Sequence, residues 1–243
     1  KQIILFAISF MLFQSCTYVV TDKDLLFPQK NNTKSDTLNC ENISFITSDS
    51  ILLNARLVQK KSAIANILIL HGNRGNIDTS PWADIVSTLS ELNVNILAVD
   101  YRGFGKSLGD ISFSMLPDDA QAALNYLKQS EINKLHIIVY GLSVGSFPAI
   151  HIAKDSCVAG LITEGAISST ADMVAITKSR NWYMKFVDIN YDKTLEFNSV
   201  YLIKSVNKPV LVILGEKDNL PIWMSENIYQ AAPDSSKFLY RIT

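Results

Sequence analysis

One stretch, Lys134 to Lys154, restricts the fold more than any other. Leu135-His136-Ile137-Ile138-Val139-Tyr140 is apolar and β-branched enough for a buried strand. Gly141-Leu142-Ser143-Val144-Gly145 follows it, and residues 146–154 read as a helix. A G-x-S-x-G run between strand and helix is the context in which that pattern carries chemistry. The reason is steric. A serine on so tight a turn sits in strained backbone, and its neighbours must lack side chains for strand and helix to approach. Gly141 and Gly145 supply the room, and the Ser143 hydroxyl is pushed out over the end of the sheet. The plainer alternative is an ordinary Gly/Ser turn.

The remaining chain repeats the strand–helix rhythm. Residues 43–47 and 51–58 read as a hairpin turning near Ser48-Asp49-Ser50, and 64–70 as a strand buried on both faces. A helix is expected over 81–92, a strand over 95–99, and a helix over 117–129 with Ala120, Ala123, Leu124 and Leu127 on one face. Beyond the Ser143 unit come strands at 158–163, 209–214 and 237–242, with a helix at 222–232. The fold class is therefore α/β: a doubly wound, mostly parallel sheet with an N-terminal antiparallel hairpin, and sites outside the carboxyl ends of its strands. With 48% hydrophobic and 19% charged residues, residues 43–243 suffice for one domain with an ample core. Residues 166–205 break the rhythm and carry Trp182, Tyr183, Met184, Phe186 and Tyr191. They read as a small lid insertion shaping an apolar pocket, or as two helices packed on the body.

The amino-terminal end is a separate matter. Residues 3–13 are almost wholly apolar, the length of a secretory core and too short to span a bilayer. They lead to Ser15-Cys16, and the whole resembles a bacterial lipoprotein signal in which the cysteine is acylated. The expectation is an export segment over 1–16, lipidation at Cys16, a polar tether over 17–42 and an exported protein anchored to a cell-envelope membrane. Within the tether, Leu25-Leu26-Phe27-Pro28 is suited to pack on the domain. A cleaved signal, an uncleaved anchor and a cytosolic core segment are the alternatives. The 22 Lys and Arg against 23 Asp and Glu give no basic surplus, so no nucleic-acid partner is expected. Cys40 and Cys157 have no metal-ligand spacing, which leaves zinc unsupported, with a disulfide or two buried thiols both open.

Three further features line up with Ser143. His71-Gly72-Asn73 ends the buried strand at 64–70, where acyl transfer in this architecture needs backbone N–H donors fixed before reaction. Asn73 and Val144 are assigned as the two donors. His71 is better suited to bonding its own loop than to moving protons. Ser143, as nucleophile, needs a base to take its proton. Gly215-Glu216-Lys217-Asp218 follows the strand at 209–214, and a carboxylate there can orient an imidazole. Asp218 is the first choice and Glu216 the second, with a plain surface turn as the alternative.

Taken together, His71-Gly72-Asn73-Arg74-Gly75-Asn76, Asp100-Tyr101-Arg102-Gly103-Phe104-Gly105-Lys106-Ser107, the run 141–145 and the run 215–218 resemble the α/β-hydrolase superfamily, in its small serine-aminopeptidase-like and esterase-like branch. The resemblance covers residues 43–243. It implies a Ser…Asp…His triad acting on a small-molecule acyl substrate (ester, thioester or amide), no metal and no organic cofactor, and the composition of 166–205 points to an apolar substrate. It makes 100–107 structural, a turn locked by Asp and Arg. That superfamily carries its histidine just after the last strand, whereas the only histidines here are His71, His136 and His151. None of these is placed to bridge Ser143 and Asp218. The expectation is a clipped sequence with the base a few residues downstream and a fragment inactive for lack of it. The alternative is an inactive, membrane-anchored binding protein on the same fold.

Overall fold

The computed structural model describes residues 16–30, 40–180, 182, 187–233 and 236–243. The elements run β1 (Cys16–Val20), α1 (Asp22–Leu25), β2 (Phe27–Pro28), β3 (Glu41–Ile46), β4 (Leu52–Val58), β5 (Ala65–Leu70), β6 (Arg74–Gly75), α2 (Trp82–Leu89), β7 (Val94–Asp100) and α3 (Leu116–Gln129). They continue with β8 (His136–Leu142), α4 (Ser146–Ile152), β9 (Val158–Glu164), α5 (Thr170–Arg180), β10 (Val187–Tyr191), α6 (Ser199–Leu202), β11 (Val210–Gly215), α7 (Ile222–Ala231) and β12 (Lys237–Ile242).

Eight of these strands form one sheet in the order β12-β11-β9-β8-β5-β7-β4-β3. All neighbours from β12 to β7 are parallel, and the β3–β4 hairpin joins antiparallel at the far edge. This is the doubly wound, mostly parallel sheet expected. Every residue of β5 and β7 is buried, as continuous apolar runs require when both faces of a strand are covered. Chain order reverses between β5 and β8, so the loops leaving these two neighbours open a crevice at the switch point.

The larger core lies on the sheet face covered by α3, α4, α5 and α7, where Leu68, Leu70, Leu97 and Val139 meet Leu124, Ala149, Ile176 and Ile228. On the opposite face α2 covers Ile67, Ile69, Ile96 and Ala98 through Val86, Trp82 and Ile85. Arg102 locks the turn after β7 by reaching Asp119 at 2.7 Å and Asp49 at 2.8 Å. Burial of Asp119 raises its pKa, and the Arg102 bonds oppose that shift.

One expectation needs correction. Residues 17–30 are not a free tether. β1 pairs with β10, β2 pairs with β6, and Leu25 and Leu26 are buried in the main core. The segment is polar because its partners are mostly backbone: Thr21 and Asp24 cap the α1 turn on themselves, and the Asp22 carboxylate accepts the Phe113 N–H at 2.6 Å. Of the two readings of 166–205, the described part shows packing on the body. Leu195, Phe197 and Ile203 enter the main core, with Phe197 4.8 Å from Phe147 between ring centres. Tyr183, Met184 and Phe186 lie outside the described residues, as do residues 1–15 of the expected export segment. Cys16 is the first residue of β1, and Cys40 and Cys157 are both free thiols. Among the described residues no helix is long and apolar enough to cross a membrane.

Candidate active site

β8 ends in a tight 3-10 turn at Ser143–Gly145 and continues directly into α4. Ser143 has φ +51, in the left-handed region that L residues avoid. Such backbone costs on the order of 1–3 kcal/mol and persists only when its surroundings enforce it. Here they do. A Cβ on Gly141 would lie 2.4 Å from the Gly145 carbonyl oxygen, and one on Gly145 would lie 2.1 Å from that of Leu70. The elbow is therefore wedged between its own strand and the end of β5. Ser146, buried one turn on, donates from Oγ to the Ser143 carbonyl at 2.5 Å and accepts the Ile167 N–H at 3.3 Å.

The loop after β5 lies against this turn. A Cβ on Gly72 would sit 3.4 Å from that of Ser143 and 2.7 Å from the Trp82 indole. His71 is wholly buried, with ring centres 4.6 Å from Tyr101 and 5.0 Å from Phe104. Its Nδ1 lies 2.6 Å from the Gly72 carbonyl, an acceptor only, so Nδ1 carries the proton and donates. Burial pulls the imidazole pKa down to about 4, so the ring is neutral near pH 7. Nε2 then presents a lone pair 3.7 Å from Asp100 Oδ1. Burial pushes the Asp100 carboxyl up to about 7. Both imidazole nitrogens are thus turned to the loop and to Asp100, which gives His71 a structural place.

Asn73 is half-buried. Its carbonyl accepts the Phe27 N–H at 2.7 Å and its Nδ2 donates to the Leu25 carbonyl at 3.0 Å, while no described acceptor takes its own N–H. Val144 opens the helical turn, where the first N–H groups have no intrahelical acceptor.

Ser143 opens into a cleft of about 410 Å³. Trp82 and Ile85 of α2, with Leu142 and Leu220, supply its apolar lining, and Glu164 and Asp218 line the same cleft. Asp218 is exposed on the turn after β11, and a Cβ on Gly165 would lie 3.2 Å from its Oδ2. Glu216 donates its N–H to the Ile242 carbonyl at 2.9 Å and is not among the cleft residues, whereas Asp218 is. A smaller adjoining depression is shared by Asp218, Glu164, Ile242 and Thr243.

Glu164 was not singled out in the sequence. It ends β9 directly opposite Leu142 and accepts the Tyr140 hydroxyl, whose pKa is raised by burial and by that carboxylate. The available signal was its place at the carboxyl end of a strand beside the elbow. Of the other histidines, exposed His136 begins β8 at the opposite end of the sheet, beside an apolar depression of about 460 Å³ lined by Ile138, Leu211 and Phe238. His151 is half-buried on α4, with its pKa lowered by burial and then by Lys154. Among the described residues no histidine lines the Ser143 cleft.

Similarity to known proteins follows the same frame. The profile of the family described as "Serine aminopeptidase, S33" matches residues 61–195. The chain is 28% identical over 249 residues to uncharacterized protein YfhR of Escherichia coli K12, covering 97% of this chain and 83% of that one. It is 31% identical over 207 residues to protein bem46 of Schizosaccharomyces pombe, covering 80% and 67% respectively. The fold superposes on the Pyrococcus furiosus esterase Pf2001 with a TM-score of 0.73 at 19% identity, covering 89% of each chain. The chain belongs to the α/β-hydrolase superfamily, within its serine aminopeptidase (S33) family.

Proposed function

We propose that the intact protein is a serine hydrolase acting through an acyl-enzyme. Ser143 Oγ attacks the carbonyl carbon of an ester, thioester or amide and gives its proton to an imidazole. The N–H groups of Asn73 and Val144 receive the oxyanion. The imidazole passes its proton to the leaving group, then takes one from water as water attacks the acyl carbon, and the acid leaves with Ser143 restored. Asp218 orients that imidazole. Its histidine lies outside residues 1–243, in a loop following β12. What supports this placement is that Ile242 and Thr243 line one depression with Asp218, so a loop following β12 would start beside that carboxylate.

The observation that carries the reading is Ser143 itself. It is a serine held at φ +51 by two glycines that admit no Cβ, opening into a cleft with Asp218 and in contact with the loop of Asn73. The apolar lining of Trp82, Ile85 and Leu220 favours an apolar acyl or leaving group. Treating the intact open reading frame with a fluorophosphonate probe tests the assignment. Labelling in wild type and none in Ser143→Ala is expected. A folded protein that stays unlabelled would refute it.

That no described histidine lines the cleft favours a second reading, an inactive binding protein that keeps the pocket. An intact frame with no histidine within about ten residues after β12 would decide for it. Attachment to a membrane through an acylated Cys16 is part of both readings. Fractionation of wild type and Cys16→Ala tests it, with the variant expected to leave the membrane fraction.

A further inference from the structure

Beyond the triad, we infer that residues 25–27 are a positioning element of the active site, which aims the Asn73 amide at the oxyanion. The inference rests on Ser143 as nucleophile and Asn73 as donor.

An oxyanion donor is useful only if it is fixed before charge develops. The loop that carries Asn73 is poorly suited to fixing itself, because Gly72 and Gly75 flank the working residue, and Gly75 takes φ +83. Two parts of the chain distant from each other hold it instead. On one side, His71 Nδ1–H grips the Gly72 carbonyl at 2.6 Å. In a trans peptide that carbonyl and the Asn73 N–H belong to one rigid plane and point opposite ways, so the grip sets the direction of the donor. On the other side, Phe27 N–H grips the Asn73 carbonyl at 2.7 Å and so fixes the next peptide plane. The Asn73 side chain adds a third tie, from Nδ2 to the Leu25 carbonyl. Both planes about one Cα are then set, and little freedom remains at Asn73.

The strap is anchored in its own right. Leu25 and Leu26 are 7% and 2% exposed. Gln29 extends the pairing, with its N–H on the Gly75 carbonyl at 3.0 Å and its carbonyl accepting Asn76 Nδ2 at 2.9 Å. The strap therefore transmits the rigidity of the core to a glycine-rich loop. A donor misplaced by about 1 Å costs roughly a hundredfold in rate.

The decisive variant removes one hydrogen. Phe27→Pro deletes the N–H that holds the Asn73 carbonyl, and Leu26 before it is already extended at φ −118, ψ 125, as a residue preceding proline must be. The readout is kcat and KM on p-nitrophenyl acetate with the intact open reading frame, alongside the melting temperature. Phe27→Pro is expected to lower kcat about 10- to 100-fold with KM within about twofold. Phe27→Ala, which keeps the N–H, should return kcat to within about threefold of wild type. Leu124→Ala, a cavity in α3 far from the site, should lower the melting temperature and leave kcat unchanged. Should Phe27→Pro fail to fold, Asn73→Leu decides the matter. It removes only the side-chain tie, and about a tenfold loss in kcat is expected. A folded Phe27→Pro (or, in its place, Asn73→Leu) with wild-type kcat overturns the inference. So does activity that tracks melting temperature across all variants. If Ser143→Ala is as active as wild type, the underlying serine reading falls as well. If Ser143→Ala is dead while Phe27→Pro is normal, only the strap is refuted.

Discussion

The two loops that meet at the switch point are held in opposite ways. The elbow after β8 is braced by its own neighbours: Gly141 and Gly145 let strand and helix close on Ser143, and Ser146 ties down its carbonyl. The loop after β5 is braced from afar, by a buried imidazole behind it and by a segment from the amino-terminal end across it. Steric closure leaves a short, legible pattern in sequence. Support by distant backbone groups leaves almost none, since any residue but proline can supply an N–H. The comparison also predicts different failures: the elbow should break by losing its fold or its nucleophile, the other loop by losing aim.

The largest effect separates nucleophile from scaffold. Ser143→Ala in the intact protein should lower kcat by about a million-fold, as removal of a triad serine does in the measured case, with the melting temperature nearly unchanged because alanine keeps the Cβ and the strained backbone. A steady-state assay with matched thermal melts checks both halves. Gly145→Ala comes next. Its Cβ would stand 2.1 Å from the Leu70 carbonyl oxygen and 2.5 Å from that of His71, both backbone atoms that cannot swing aside. Destabilisation of about 3 kcal/mol or more is expected in urea unfolding, against at most a few tenths for an exposed site such as Ser87→Ala.

How much of this was legible follows the same division. The parallel sheet could be read because β5 and β7 are nearly continuous apolar runs, and the elbow because glycines flank the serine where a Cβ would not fit. That Asp218 lines the cleft with Ser143 could be anticipated because the turn after β11 is local. Glu164 was missed because a carboxylate at a strand end acquires meaning only once β9 is known to lie against β8. Packing of Leu25-Leu26-Phe27-Pro28 was legible from its apolar run, but the stretch before it was read as free tether because Thr21, Asp22, Lys23 and Asp24 look like solvent-facing polymer, and what holds them is capping within the segment and the Phe113 N–H, 91 residues from Asp22. The insertion at 166–205 left two readings open for the converse reason: apolar residues such as Leu195 and Phe197 fill the common core, and composition alone cannot tell a pocket wall from a core wall.

A pH experiment sharpens the contrast, because the brace behind the second loop contains two buried titrating groups whose linkages oppose each other. His71 falls from an ordinary 6.5 to about 4 on folding, so protonation favours the unfolded chain and stability is lost as pH drops from about 6.5 toward 4. Asp100 rises from 3.8 to about 7, so its contribution is full below about 4 and is lost as pH climbs toward 7. Between pH 4 and 6.5 the two slopes cancel in large part. Asp100→Asn keeps an acceptor for the Ile77 N–H and removes one of the two titrations. Relative to wild type, this variant should lose stability on acidification from pH 6.5 to 4, by up to about 3 kcal/mol. His71→Gln, which can still donate to the Gly72 carbonyl, should show the opposite tilt, losing stability as pH rises from 4 to 7. Urea midpoints measured across that range for the three proteins give the slopes. Parallel profiles would mean that the pair does not titrate on folding, leaving hydrogen bonds and packing alone to hold the Asn73 loop from behind.

The smallest effect returns to the elbow. Ser146→Ala removes a buried hydroxyl that holds the Ser143 carbonyl and receives the Ile167 N–H, leaving both without that partner. A loss of about 1–2 kcal/mol in urea unfolding is expected. Because Gly141 and Gly145 enforce the turn sterically, kcat should stay within about threefold. A tie of similar length at Asn73 is expected to cost tenfold or more when cut. If Ser146→Ala instead costs kcat as heavily as Phe27→Pro, the elbow depends on its hydrogen bonds as much as the second loop does, and the division between closure by sterics and support from afar disappears.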